Sequence, residues 1–230
     1  MADGTEQIAA ACCMGLDVPA SPFLTDTRIE RLNAGRYEEQ EILGALRVVR
    51  RDDVVLELGA GLGVVGGLIA RNLRPRRVVS YEANPALIPH IEALYRMNAL
   101  TSRIRVENRV LLAGPDRPDV MTLHLTNSWL GSSIRDEVAR KRDAVQVPTG
   151  DFQAACDKAD VLIMDIEGAE LDILRHADLS RLRAVVLEFH PDSYGMGGMR
   201  EAKGLLRAAG FDKIDAVSTR LVWACEKAPA

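Results

Sequence analysis

Two runs of branched apolar residues, VVLEL at 54–58 and VLIMD at 161–165, deliver an acid at their end and pass at once into glycine and a helical pattern. An unbroken apolar run of this length is how a strand buried on both faces reads. A polar group at its carboxyl end is then presented at the rim of a parallel sheet. In open α/β sheets small ligands bind at that rim. These two segments therefore fix the fold class and point to where the chemistry sits.

The rest of the chain supplies the alternation. An amphipathic helix follows Gly35, with Tyr37, Ile42, Leu43, Leu46 and Val49 along one side. Strands are expected at Val54–Leu58, Val78–Tyr81 and Ile104–Glu107, with a helix at Val64–Leu73 and another opened by an Asn84-Pro85 cap and running to about Asn98. Residues 110–150 break the pattern, with an alternating strand at Met121–Leu125 and a short one at Ala144–Val147. A strand at Val161–Asp165, a helix at Ala169–Ala177, a strand at Ala184–Glu188 and a helix at Met199–Ala209 follow, closed by strands at Phe211–Val217 and Leu221–Cys225. The fold expected is α/β, Rossmann-like and doubly wound: a mostly parallel seven-stranded sheet with an antiparallel last strand and a short β insertion after the third strand. Residues 1–24 show little periodicity and are expected to be a flexible segment, with 25–230 forming one domain.

Charge narrows the ligand. The net charge is −4, and the densest basic cluster, Arg140-Lys141-Arg142, follows Asp136 and Glu137. A nucleic-acid partner is not expected from this balance. Cys12, Cys13, Cys156 and Cys225 have no metal-type spacing and fit free thiols in a reducing compartment. No signal-like start and no apolar run of spanning length occur, so no membrane association is expected and a cytoplasmic location is.

The glycine loop reads Glu57-Leu-Gly59-Ala-Gly61-Leu-Gly63. Shifted by one step, Gly61, Gly63 and Gly66 also satisfy G-x-G-x-x-G, the dinucleotide pattern, which keeps a nicotinamide-dependent oxidoreductase as an alternative. Glu57 argues the other way. An acid at this strand end repels a pyrophosphate and suits a ligand with an ammonium or sulfonium group, as in S-adenosylmethionine. Glu82 closes the next strand 25 residues later and suits the two ribose hydroxyls.

ELGAGLG, YEANP with its helix, and the downstream block DIEGAELDILRHA…LEFHP together resemble a class I methyltransferase of the FkbM family. The resemblance runs from about Tyr37 to Cys225. Its specific part is the acidic block: Asp165, Glu167, Gly168 and Glu170, then Glu188 and His190. Two positions depart from the family pattern. Gly61 stands where asparagine is common. Thr149-Gly150-Asp151 stands for T-L-D, so that Asp151 reads as a cap of the helix beginning at Phe152. The resemblance implies S-adenosyl-L-methionine as cofactor, held by Tyr37, Glu57, Gly59, Ala60, Gly61, Gly63, Glu82, Ala83, Asn84, Asn108 and Asp165. It also implies O-methylation of a small hydroxylated acceptor, of the sugar or secondary-metabolite type.

Methyl transfer needs alignment of acceptor oxygen, methyl carbon and sulfur, and a base for the hydroxyl proton. The candidates are Asp165, Glu167, Glu188 and His190. Some of the same groups could instead hold a divalent cation, but no spacing is diagnostic and no metal is assigned. Glu170 reads as a first-turn acid favoured by the helix dipole. Trp129, Ser132 and Ser133 fall in the insertion, and the Tyr194-Gly-Met-Gly-Gly segment reads as a glycine-rich lid. DIEG replaces the Asn/Asp-Pro-Pro-aromatic run of base and amide methyltransferases, which argues against those substrates. A non-catalytic cofactor-binding protein is the other alternative.

Overall fold

The computed structural model describes residues 8–124 and 144–228. Leu125, Trp129, Ser132, Ser133 and the 140–142 basic cluster lie outside the described residues. The N-terminal segment departs from the flexible expectation: β1 (Ala9–Cys13) and β2 (Leu16–Pro19) form an antiparallel hairpin. Its two-residue turn, Met14-Gly15, has φ of 48° and 87°, the positive values that a tight hairpin requires. Cys13, Leu16 and Val18 are buried in the core. The strand was illegible because its residues, AAACC, are small and show no alternation of large apolar and polar groups.

Two helices follow, α1 (Asp26–Asn33), which the sequence reading lacks, and α2 (Glu39–Val48). Thr25 caps α1 by accepting from the Arg28 amide. In α2 the inner face is Glu41, Ile42, Gly44, Ala45 and Val48, whereas Leu43, placed on the inner stripe by the sequence, is 39% exposed.

The central units are β3 (Val54–Leu58), α3 (Val64–Asn72), β4 (Arg77–Glu82), α4 (Ile88–Met97) and β5 (Ile104–Asn108). Helix α4 starts later than the Asn84-Pro85 cap predicts. Asn84 Oδ1 accepts from the Ala86 amide and closes a separate turn, and Pro89 stands in the first helical turn. The insertion is a three-stranded sheet in the order β6 (Val110–Leu112), β8 (Ala144–Asp151), β7 (Val120–His124). Asp151 Oδ1 accepts from the Ala154 amide at 3.1 Å and caps α5 (Phe152–Cys156), as its sequence position suggests.

Then come β9 (Val161–Met164), α6 (Glu170–His176), β10 (Ala184–Glu188), α7 (Pro191–Ala208), β11 (Phe211–Lys213) and β12 (Val222–Lys227). The glycine-rich stretch, expected to be a lid, is part of α7, which bends at Gly195 (φ 74°). Phe211 starts only a three-residue strand, because the chain turns into a 3-10 helix at Asp215–Val217.

The sheet order is β11-β12-β10-β9-β3-β4-β5, parallel except for β12, which runs against both neighbours. Alternate residues feed two cores. Val55, Val161, Ile163 and Val186 meet α2, α3 and α4; Leu56, Leu162, Met164 and Leu187 meet α5, α6 and α7. Helix α3 sits close to the sheet through Gly66 and to α4 and the hairpin through Gly67. A methyl group on Gly66 would lie 2.3 Å from Glu57 Oε2, and one on Gly67 3.0 Å from Leu94 and 3.1 Å from Leu16. At the far ends of the strands, Arg183 joins Asp53 and Glu226 in ion pairs and donates to the Val48 carbonyl at 2.6 Å. That polar clamp leaves the carboxyl ends free to form the site.

Candidate active site

A cavity of about 1070 Å³, counting its open mouth, lies at the carboxyl ends of β3, β4 and β9. Its floor is the loop after β3. There the Gly59 and Ala60 amides both donate to the Tyr81 carbonyl, at 2.9 and 3.1 Å. Gly59 has φ 84°, and its Cα faces the Asp165 carbonyl so closely that a side chain is excluded. Gly59, Ala60 and Gly61 line the cavity; Gly63 does not, since it packs against Ile91 and Tyr95.

Glu82 joins the two rim loops. Its Oε2 accepts from the Gly61 amide at 2.8 Å and its Oε1 from the Asn84 amide at 2.7 Å. Burial raises this carboxyl to about 7, against the pull of those amides. Glu82 and Ala83 line the cavity, but Asn84 is buried outside the lining. Asn108 also misses it: its amide nitrogen donates to the Glu82 and Ala83 carbonyls at 2.9 Å each and so braces the β4 end.

Glu57 requires the larger correction. It is 2% exposed, outside the lining, hydrogen-bonded to the Ser80 hydroxyl, and raised to about 7 by burial, against the Ser80 and Gly66 hydrogen bonds. Strand alternation turns it under α3, so it cannot meet a ligand's ammonium group directly.

On the opposite side, Asp165, Ile166 and Glu167 leave β9 along the cavity wall, and the Asp165 amide still donates to the Leu58 carbonyl at 3.0 Å. Glu167 has φ 57°. Glu170 is fully buried. Its Oε1 accepts from the Ile166 and Gly168 amides at 3.1 Å each and meets His190 Nδ1 at 3.0 Å. It is thus the hub of the turn rather than only a first-turn acid.

His190 Nε2 faces Asp165 Oδ1 at 3.4 Å and Glu167 Oε2 at 3.6 Å, and the His190 amide donates to the Tyr194 hydroxyl at 2.6 Å. Burial alone would lower this imidazole, but the Glu170 hydrogen bond and the charges of Glu170, Asp165 and Glu167 outweigh it and raise it to about 9. Asp165 is pushed well above the carboxylate range, by burial first and then by Glu188, with His190 opposing. Its Oδ1 is buried without a hydrogen-bond partner.

Of the four expected catalytic residues, three therefore converge: Asp165, Glu167 and His190. Glu188 turns instead toward α2, where its carboxylate joins those of Glu38 and Glu41, with oxygens of all three within 4.8 Å of one another. Asp165, Glu170 and His190 form a second group of that compactness. Tyr37, expected from the sequence, lines the cavity, and so do Glu38 and Glu41, two acids the sequence reading did not single out. One signal for Glu41 existed: it falls on the inner stripe three and four residues before Gly44 and Ala45.

Residues 67–213, well over half of the chain, match the family model described as Methyltransferase FkbM domain. No curated protein sequence matches. Among solved structures, a ribosomal protein L11 methylase from Lactobacillus delbrueckii subsp. bulgaricus is similar, with TM-score 0.48 and 16% identity over 84% of this chain and 80% of that one. A precorrin-6y C5,15-methyltransferase from Geobacter metallireducens GS-15 gives TM-score 0.48 and 14% identity over 91% and 93% of the two chains.

Proposed function

The chain belongs to the FkbM methyltransferase family, and from that premise we propose that it methylates a hydroxyl oxygen of a small acceptor, of the sugar or secondary-metabolite type. S-adenosylmethionine, the cofactor expected of the family, supplies an electrophilic methyl group on a sulfonium. The residues present fit it. Glu82 keeps a carboxylate at the cavity wall for ribose hydroxyls, and Gly59 and Gly61, with φ of 84° and 54°, bring bare backbone to the cavity.

One observation favours a hydroxyl acceptor: the Asp165 carboxylate lines the cavity, and its buried Oδ1 makes no hydrogen bond, with only His190 Nε2 facing it at 3.4 Å. An acceptor hydroxyl that reaches this carboxylate leaves its proton on Asp165 as the oxygen takes the methyl group, leaving the sulfur as a neutral thioether. His190 positions Asp165 through Oδ1, and Glu170 and Tyr194 hold the ring and its backbone. The net charge of −4 favours a small acceptor over a nucleic acid.

A panel of hydroxylated sugars and polyketide-like alcohols, incubated with radiolabelled S-adenosylmethionine, should yield base-stable methyl ethers. Label found only in amines, carboxyl esters or nucleic acid would refute the hydroxyl assignment. Glu82→Gln should raise the dissociation constant for S-adenosylhomocysteine at least tenfold, about 1.4 kcal/mol. Calorimetry giving an unchanged constant would remove Glu82 from the cofactor site.

A further inference from the structure

With Glu57 turned away beneath α3, the cavity's negative charge comes from other acids. Glu38 and Glu41 on the α2 segment line the cavity, and Glu188 at the end of β10, just outside that lining, meets them: each brings one carboxylate oxygen into a group no wider than 4.8 Å. Glu41 is 5% exposed and lines the cavity, and its Oε1 has no donor, although its carboxyl lies against that of Glu188. A buried oxygen on a cavity-lining residue with nothing to accept from is an unfilled requirement. Three acceptors that converge suit the three hydrogens of one ammonium group.

Topology says which ammonium. Helix α2 packs on β12, β10 and β9, so its acids stand on the β9 side of the glycine loop, whereas Glu82 stands on the β4 side. Strands β4 and β9 flank β3 and are therefore about 10 Å apart. A nucleoside anchored by its ribose at Glu82 and carrying a homocysteine chain across Gly59 spans that gap. We propose that Glu38, Glu41 and Glu188 seat the α-ammonium group at the methionine end of the cofactor. This rests on the S-adenosylmethionine reading above and assigns to these three acids the role that the sequence suggested for Glu57.

The test uses three ligands measured by calorimetry on the whole protein: S-adenosylhomocysteine, its analogue with hydroxyl in place of the amino group, and 5′-methylthioadenosine, which lacks the amino acid. The wild-type protein should prefer S-adenosylhomocysteine to the hydroxyl analogue by at least tenfold. Glu41→Gln should abolish that preference and leave 5′-methylthioadenosine binding as it was. Equal wild-type affinity for the first two ligands overturns the proposal even if the variant fails to fold. So does a variant that keeps the preference, or one that weakens all three ligands alike, the mark of a purely structural residue. Tight binding of magnesium or calcium that Glu41→Gln removes would reassign the seat to a metal. Failure of the wild type to bind any of the three nucleosides would instead remove the cofactor reading, and the seat with it.

Discussion

Gly59→Ala should unfold the rim and lower global stability by more than about 4 kcal/mol, the range reserved for backbone collisions and comparable core damage. The added carbon would stand 1.6 Å from the Asp165 carbonyl oxygen, and φ of 84° disfavours any side chain there. Neither partner can withdraw cheaply. Leu58 pairs with Met164 in the parallel ladder, the Asp165 amide is bonded to the Leu58 carbonyl, and the Gly59 amide is bonded to the Tyr81 carbonyl. Urea denaturation measures the loss directly. A variant with the wild-type midpoint would mean that the β3 and β9 ends do not meet as described.

Asp165→Asn should have the largest effect on turnover, lowering kcat by about 10²–10⁴-fold, the usual contribution of a general base. The amide keeps the shape of the side chain and can still face His190 Nε2, 3.4 Å from Asp165 Oδ1, but it takes up no proton. S-adenosylhomocysteine affinity should change by no more than a few-fold. Single-turnover methyl transfer under saturating cofactor separates the two quantities. An unchanged kcat would place the base elsewhere among the acids of the cavity.

What could be read in advance follows from how each feature is encoded. Strands β3 and β9 are buried on both faces, so their sequences are unbroken apolar runs, and the acids at their ends were visible one by one. What those acids do was not. Glu57 and Glu82 each end a run beside a glycine or a turn and share a face of the sheet, but Glu57 pairs with Ser80, two residues short of Glu82, so it lies beneath α3 while Glu82 reaches the cavity. Glu170 owes its role to His190, 20 residues further on, and Glu41 owes its role to Glu188; such pairings exist only once α2, α6 and β10 have met. The β1–β2 hairpin escaped because small residues hide the period of two.

The paired glycines of α3 have a consequence for recognition. Glu57 fits against one and Leu16 and Leu94 against the other, which wedges the helix between sheet and hairpin and pins the downstream end of the 59–63 loop. The mould a ligand meets is thereby cast before it arrives. Association then sacrifices little chain freedom, and more of the contact energy survives as grip.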